Sequence, residues 1–363
     1  MTDRQTVPMT RSFALSLPAT SANLGPAFDA AGLALGFSLR VKARVAEAFS
    51  VRASGRDAEI CARVDNHLIL NVYRQTLDAA GRLAPPLALE LENAIPIGKG
   101  CGSSAAARLA GLALAVRFGG LAWSAEDIFA AAAALEGHPD NVAACWWGGL
   151  VVSRSAGPAA APTSRSAGTP AAPALRSAAT PAALALRSAA TPAALALRSA
   201  ATPAALAWLR VALRRAWRLL VAVPADALST ERAREALPDV YSRQDAVANL
   251  QNALLLVEAL HQGRGDLLAA ALADRWHQPY RAALCPLLPA LQPLAGAHGI
   301  LGVALSGAGP SVLLFLDDQA RVEASAAVNQ ALSRAGLQAE LLETQVQTRG
   351  PGMNWGRWER PRA

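Results

Sequence analysis

Residues 96–107 read Pro96-Ile97-Gly98-Lys99-Gly100-Cys101-Gly102-Ser103-Ser104-Ala105-Ala106-Ala107, three glycines at alternate positions followed by a serine pair and a run of alanines. Glycine takes positive φ without a steric penalty and admits another backbone, or a ligand, at close range. Downstream, Leu109, Leu112, Ala113 and Val116 recur at helical spacing, so the turn feeds a helix. The first N–H groups of that helix lack internal partners and carry the positive end of its dipole, which suits an anion such as a polyphosphate. Ser103 and Ser104 add hydroxyls for a phosphate oxygen or for magnesium, a hard cation that prefers oxygen ligands. The loop is not a Walker A motif, because Lys99 precedes the last glycines and no GKS or GKT follows. On the loop alone, a turn that caps a structural helix competes with the phosphate reading.

On either side the chain alternates strand-like and helix-like patterns. Phe13 to Leu17 and Phe37 to Val45 alternate as strands, which with the helix make an α/β lobe. Trp217 to Val223 reads as a strand, Gln244 to Leu260 as an amphipathic helix through Val247, Leu250, Leu254 and Val257, and Gly302 to Leu316 as strand, glycine turn and strand. A second α+β lobe follows from these. The length of 363 residues and 53% hydrophobic content provide for two lobes around a cleft.

Between the lobes lies an eleven-residue tandem repeat in four copies, RSAGTPAAPAL from Arg165, RSAATPAALAL from Arg176 and Arg187, and RSAATPAALAW from Arg198. Each copy contains proline, which opposes a continuous helix, and offers little surface for a core, so a disordered or loosely helical insertion without function is the expectation, with a basic partner-binding segment as the alternative. The charge is concentrated here: Arg154 to Arg218 contains nine arginines and no acidic residue, which leaves −2 on the remainder of a chain whose total is +7. The body is nearly neutral, and the repeats lack interleaved aromatics, so nucleic acid is not an expected partner.

The four cysteines stand far apart with no CxxC or Cys/His cluster, which argues against a zinc site or a disulfide framework and favours a reduced, cytoplasmic setting. The N-terminus has no apolar core of signal-peptide length. The uncharged run from Ala282 to Leu316 is broken by Pro286, Pro289 and Pro293 and by Gly307 and Gly309, so no membrane span is expected.

Three further segments accompany the glycine loop: LPATSANLGPAFDAAGLAL (Leu17 to Leu35), EGHPDNVAACWWGGLVVS (Glu136 to Ser153) and LSGAGPSVLLF (Leu305 to Phe315). Together the four resemble the motif set of the GHMP kinases, and the wording of the first and of EGHPDNVA is similar to that of homoserine kinases. The resemblance covers nearly everything except the repeats and the residues after Gly350. It implies an α+β, two-lobe GHMP kinase fold: an N-terminal ATP-binding domain at 1–153, the insertion at 154–208, a ferredoxin-like C-terminal domain at 209–349 and a tail at 350–363. It implies ATP with Mg²⁺ and L-homoserine as acceptor in threonine biosynthesis; the sequence does not reveal the oligomeric state, for which a homodimer is one option.

Residue by residue, the resemblance assigns Pro96, Ile97, Gly98, Lys99, Gly100, Cys101, Gly102, Ser103, Ser104 and Ala105 to the phosphate loop, and Asn66 to the adenine. Ser104 and Glu136 match the magnesium pair. Asn23, Asp29 and Asp140 match amine-side and orienting residues, Asn141 the partner of the reacting hydroxyl, His138 a pocket neighbour, Gly307 the substrate side, and Arg234 and Arg281 the arginines for a carboxylate. Homoserine carries an ammonium, a carboxylate and a hydroxyl, for which acids, a guanidinium fork and an amide are fitting partners. Lys42 and Lys99 are the only lysines, so no lysine base is expected at the hydroxyl. His277 is expected to be structural.

Two departures from the family wording stand out. Cys101 replaces the usual leucine of GLGSS and is expected to act as a small hydrophobe; Ala27 replaces the glycine of PGFD and would strain the turn by about 1 kcal/mol if that position needed positive φ. Another GHMP kinase with a different hydroxyl substrate, or a non-catalytic nucleotide-binding paralogue, are the rival readings.

Overall fold

In this computed structural model, residues 12–155 and 206–359 are described, and the repeats lie outside them. β1 (Ser12–Ala22) begins with strict alternation, Phe13, Leu15 and Leu17 facing inward, and is buried on both faces from Leu17 to Ala22. It pairs antiparallel with the long β2 (Ala31–Val45), with a register shift between Pro18 and Thr20. β2 then pairs with β4 (Leu87–Asn93) near one end and β5 (Leu150–Arg154) near the other, and β3 (Ser50–Gly55) runs parallel to β4 at the edge.

Four principal helices complete this lobe, α1 (Leu68–Ala79), α2 (Ser103–Gly119), α3 (Ala125–Glu136) and α4 (Asp140–Trp147), besides a single helical turn at Ala58–Cys61. α2 is apolar all round, as a helix enclosed by other elements must be; Leu109, Leu112, Ala113 and Val116 are all buried, as their spacing predicts. It lies so close to α1 that a side chain at Gly111 would meet the Ile69 carbonyl at 2.7 Å. Ser124 caps α3 with a reciprocal Ser124–Asp127 box.

The second lobe is a four-stranded antiparallel sheet formed by β7 (Arg218–Val223), β8 (Ile300–Leu305), β9 (Val312–Leu316) and β10 (Glu340–Gln345), in the spatial order β10-β7-β9-β8. The inner strands β7 and β9 are almost uniformly apolar. With helices inserted between β7 and β8 and between β9 and β10, this is the split βαβ arrangement of a ferredoxin-like fold. The principal helices are α5 (Thr230–Glu235), α6 (Arg243–Gln262), α7 (Gln278–Arg281) and α8 (Arg321–Arg334).

Three expectations change. The boundary between residues 208 and 209 cuts β6 (Ala207–Val211), which pairs antiparallel with β5, Arg154 opposite Ala207, and so belongs to the first sheet. The repeats therefore interrupt the connection of a β-hairpin rather than a linker between lobes, and Trp208 stacks on Trp147 at 4.2 Å. The chain after Gly350 is also no free tail: residues Pro351–Glu359 form a 3₁₀ stretch, and Trp355 is buried against Phe13 and Trp146 with its indole N–H donated to the Trp123 carbonyl. Finally, the apolar stripe of α6 faces outward; its buried side carries Asn249, Leu256, Ala259 and Leu260. No helix among the described residues is long and apolar enough to cross a membrane.

Truncation of a buried Trp leaves a cavity and unpaired contacts, so Trp355→Ala is expected to lower stability by about 3 kcal/mol. Equilibrium urea unfolding followed by near-UV circular dichroism checks this; an unchanged midpoint means the C-terminal stretch does not belong to the first lobe.

Candidate active site

Gly98, Gly100 and Gly102 all adopt positive φ, between 70° and 74°. At two of them the conformation is matched by close approach of neighbouring chain. A Cβ on Gly100 would collide with the carbonyls of Ser306 and Gly309, and one on Gly102 with the Thr20 hydroxyl. The glycine loop of the first lobe thus meets the glycine turn of the second backbone to backbone. Ser306 Oγ donates to the Gly100 carbonyl at 2.8 Å, Leu228 N–H to the Gly98 carbonyl at 3.0 Å, and Thr20 N–H to the Cys101 carbonyl at 3.0 Å. α2 starts at Gly102, which has no side chain to cap it, so the first turn of a 17-residue helix offers its N–H groups to the cleft.

The segment 20–29 forms the next wall. Asn23, Leu24, Gly25 and Asp29 have positive φ, whereas Ala27 does not, so the strain considered for Ala27 is absent and a buried methyl group fits there. Asn23 accepts from the Asp29 N–H at 2.9 Å and donates to the Gly307 carbonyl at 2.8 Å, which ties this turn to the second lobe.

At the N-terminus of α4, Asp140 is 1% exposed, and its Oδ1 accepts from the Asn141 N–H and contacts His138 Nδ1, both at 2.7 Å. Thr20 donates to Asn141 Oδ1 at 2.6 Å, which leaves the Asn141 NH₂ as the end presented for further bonding. Asp29, His138 and Asp140 bring one ligand atom each to within 4.8 Å of one another. Two carboxylates at that separation form an anionic corner suited to an ammonium group.

Two arginines stand opposite. Arg234, on α5, donates to Asp29 at 2.7 Å, and Arg281, on α7, donates through Nε to the Ala233 carbonyl at 2.9 Å; both guanidinium carbons lie over the Phe28 ring, at 5.4 and 5.3 Å. Arg281 is 1% exposed, and burial together with the neighbouring Arg234 charge lowers its pKa from the usual value. Its Nη1 donates to His277 Nδ1 at 3.1 Å, and His277 Nε2 lies 2.8 Å from the Gly25 carbonyl. One ring nitrogen therefore accepts and the other donates, which defines a neutral imidazole with its proton on Nε2. His277 fulfils the structural role expected of it, locking Arg281 to the first lobe.

The structure brings these groups into one cleft of about 350 Å³, lined by Asn23, Asp29, the three loop glycines, Ser103, Ser104, Glu136, His138, Asp140, Asn141, Arg234, Arg281 and Gly307. A neighbouring cavity of about 630 Å³ shares Gly98, Ser103 and Ser104 with it and adds Asn66, Ile97 and the apolar walls Leu39, Ile69 and Ile95. Pro96, Lys99, Cys101 and Ala105 line neither cavity. Cys101 is buried, with its thiol pKa pushed up to about 12 by that burial, so it is a core atom rather than a reactive one.

Two site residues were not singled out by sequence. Thr20 orients Asn141, and Arg108 donates to both Ser104 Oγ, at 2.6 Å, and Glu136 Oε2. Arg108 follows Ser104 by one helical turn, and that i,i+4 spacing was the available signal. Its partial burial lowers its pKa.

His277 couples this geometry to pH. Burial depresses its pKa to about 4 from 6.5, so its contribution to stability is complete above pH 6.5 and is lost as pH falls towards about 4. The melting temperature is expected to fall by several degrees over that interval, and less steeply in His277→Gln; identical pH profiles for the two proteins would exclude His277 as the responsible group.

Comparison with known proteins follows the same lines. The family descriptions GHMP kinases N terminal domain and GHMP kinases C terminal match residues 67–149 and 256–334. The homoserine kinase of Solibacter usitatus is 41% identical over 84% of this chain and 85% of its own length, and that of Synechocystis sp. 32% identical over 93% and 97%. Among solved structures, homoserine kinase from Cytophaga hutchinsonii superposes with a TM-score of 0.69 at 21% identity, covering 96% of this chain and 99% of its own. The L. major mevalonate kinase superposes at 0.61 with 14% identity, covering 94% and 99%. At those identities the superpositions speak for a shared fold.

Proposed function

The chain belongs to the homoserine kinase family within the GHMP kinases, and from that premise we propose that it transfers the γ-phosphoryl group of ATP to the side-chain hydroxyl of L-homoserine, yielding O-phospho-L-homoserine for threonine biosynthesis. The observation that carries this reading is the convergence in one cleft of an uncapped helix N-terminus, an acidic corner and two arginines drawn from both lobes. In this assignment Gly98, Gly100, Gly102, Ser103 and Ser104 face the triphosphate, with the backbone amides after Gly102 turned to its oxygens. The adjoining apolar cavity, with Asn66 at its rim, accommodates the adenine.

Asp29 and Asp140 face the ammonium of homoserine, with His138 against the Asp140 carboxylate and Asn23 holding the backbone of Asp29. Arg234 and Arg281 take its carboxylate. That pair discriminates an amino acid from a simple alcohol, because a buried guanidinium without its anion is costly. Asn141, its carbonyl side committed to Thr20, turns its NH₂ toward the acceptor hydroxyl, and Gly307 shapes the substrate side.

Phosphoryl transfer draws most of its acceleration from in-line positioning and charge neutralisation. No lysine lines the cleft, and Asp140, held by the Asn141 N–H and by His138, acts by orienting the substrate more than by removing its proton. Ser104 Oγ and Glu136 Oε2 lie 3.5 Å apart, a hard oxygen pair that fits Mg²⁺. The ion would offset charge on the transferring phosphate. Arg108 stands on the same two oxygens, so its guanidinium must withdraw for them to serve as metal ligands. A cytoplasmic location is part of this proposal, and all four cysteines are free thiols.

Purified protein with Mg-ATP is expected to phosphorylate homoserine in preference to mevalonate, shikimate or galactose; equal or greater turnover on a substrate without a carboxylate would refute the assignment. Arg281→Met is expected to raise KM for homoserine by roughly 30- to 150-fold, the equivalent of about 2–3 kcal/mol, with KM for ATP unchanged. For Asp140→Asn the expected result is weakened homoserine binding at near-normal kcat. Complete loss of turnover at saturating homoserine would instead make Asp140 the general base.

A further inference from the structure

Glu136 ends α3, at the negative pole of that helix's dipole, where a carboxylate is disfavoured, and its side chain is only 10% exposed. A shielded carboxylate without a counter-charge is costly, and among the described residues the ion-pair partner of Glu136 is Arg108. The manner of their pairing is unusual. A guanidinium commonly meets a carboxylate as a fork, two nitrogens on two oxygens. Here a single nitrogen, Nη1 of Arg108, donates to Glu136 Oε2 and also to Ser104 Oγ, and those two oxygens lie 3.5 Å apart. One centre of positive charge thus rests on two oxygens from two helices, as a metal ion rests on its ligands. The other nitrogens of Arg108 make no hydrogen bond among the described residues.

Placement adds a second argument. Arg108 and Arg117 are the only charged residues in the 17 of α2, and Arg108 lines the cleft beside Ser103, Ser104 and Glu136. While its guanidinium stands on the two oxygens they are closed to a divalent ion, because positive charges a few ångströms apart repel strongly in a partly buried site. A polyphosphate alters that balance. Phosphate oxygens are well-suited partners for guanidinium N–H groups, so a displaced Arg108 regains a partner when phosphate is in the cleft and loses one when metal arrives alone.

We propose that Arg108 is a built-in stand-in for the divalent cation: it holds the Ser104–Glu136 oxygens, closes them to free metal, and yields them to metal that arrives with a polyphosphate. The proposal rests on the reading of those oxygens as the magnesium pair. It makes Arg108 a positioning residue that couples metal uptake to nucleotide, a coupling that by linkage is the same from either side.

Titration of the full chain with Mn²⁺, the unbound ion read by electron paramagnetic resonance, tests this without turnover. In the absence of nucleotide, Arg108→Met is expected to bind Mn²⁺ roughly tenfold or more tighter than the parent, since a competing cation has been removed. With a non-hydrolysable ATP analogue present, the gap should narrow to within about threefold. Arg108→Met/Glu136→Gln should lose the gain, which separates this oxygen pair from Asp29, His138 and Asp140, the other group able to hold a metal ion. Melting temperatures give a second readout: in chelator Arg108→Met melts several degrees below the parent, and Mg²⁺ alone restores the variant while leaving the parent unmoved. Equal Mn²⁺ affinities without nucleotide overturn the proposal, as does a gain that survives in the double variant or a gap that nucleotide leaves unchanged. Should Arg108→Met fail to fold, Arg108→Gln, which keeps a donor for Glu136 but no charge, carries the same comparison. None of these measurements involves homoserine, so a failed homoserine assay and a failure here are separate outcomes.

Discussion

The structure depends on the contact between two glycine turns. The carbonyls of Ser306 and Gly309 occupy the space that a side chain at Gly100 would need, and the Thr20 hydroxyl occupies the corresponding space at Gly102. Because no side chain intervenes, backbone from the second lobe reaches the phosphate-type loop of the first, and hydrogen bonds from Ser306 and Leu228 fix the distance. Everything in the cleft inherits its geometry from that contact. The helix N-terminus, the acidic corner at α4 and the arginines on α5 and α7 come from separate stretches of chain, yet they address one volume because two turns of minimal bulk could close on each other.

Inside that volume most of the charges are matched in advance, Arg281 being the exception, held by the Ala233 carbonyl and His277 rather than by a carboxylate. Arg234 neutralises Asp29, Arg108 neutralises Glu136, and His138 adjoins Asp140. A buried charge without a partner costs several kcal/mol, so a cleft that must hold both signs is most stable when it pairs them internally. A zwitterion with a phosphate-bearing co-substrate can replace these contacts one for one. The cost of opening each internal pair is then met by the ligand group that takes its place, and a ligand lacking one of the charges leaves a guanidinium or a carboxylate unserved. Under the proposed function, selectivity would follow from exchange of partners as much as from shape.

Much of this was legible in the sequence, for identifiable reasons. The loop from Gly98 to Ser104 is conspicuous because alternate glycines before an alanine-rich helix suit a close-approach turn and little else, and Leu109 to Val116 give α2 by spacing alone. The strands β1, β7 and β9 likewise follow from local pattern. What stayed hidden depends on contacts made across the chain. Periodicity showed that α6 has an apolar face but not that the core takes the opposite side, where Asn249 is buried because it bonds to Pro26. Trp355 gave no sign that it would return to Phe13 and Trp146 from the far end of the chain. Arg108 was not singled out, since only the approach of α3 brings Glu136 to it. The end of the first sheet was set too early because a repetitive stretch obscured that β6 returns to β5.

That return has a consequence for how the chain could acquire its repeats. The ladder from Leu150↔Val211 to Arg154↔Ala207 holds the two ends of the intervening stretch side by side, whatever number of residues separates them. Closing a loop costs free energy only as the logarithm of its length, so one more eleven-residue copy alters stability by roughly 0.2 kcal/mol. A change in copy number at this point is therefore almost neutral to folding: the register of β5 on β6, from Leu150↔Val211 to Arg154↔Ala207, stays as it was.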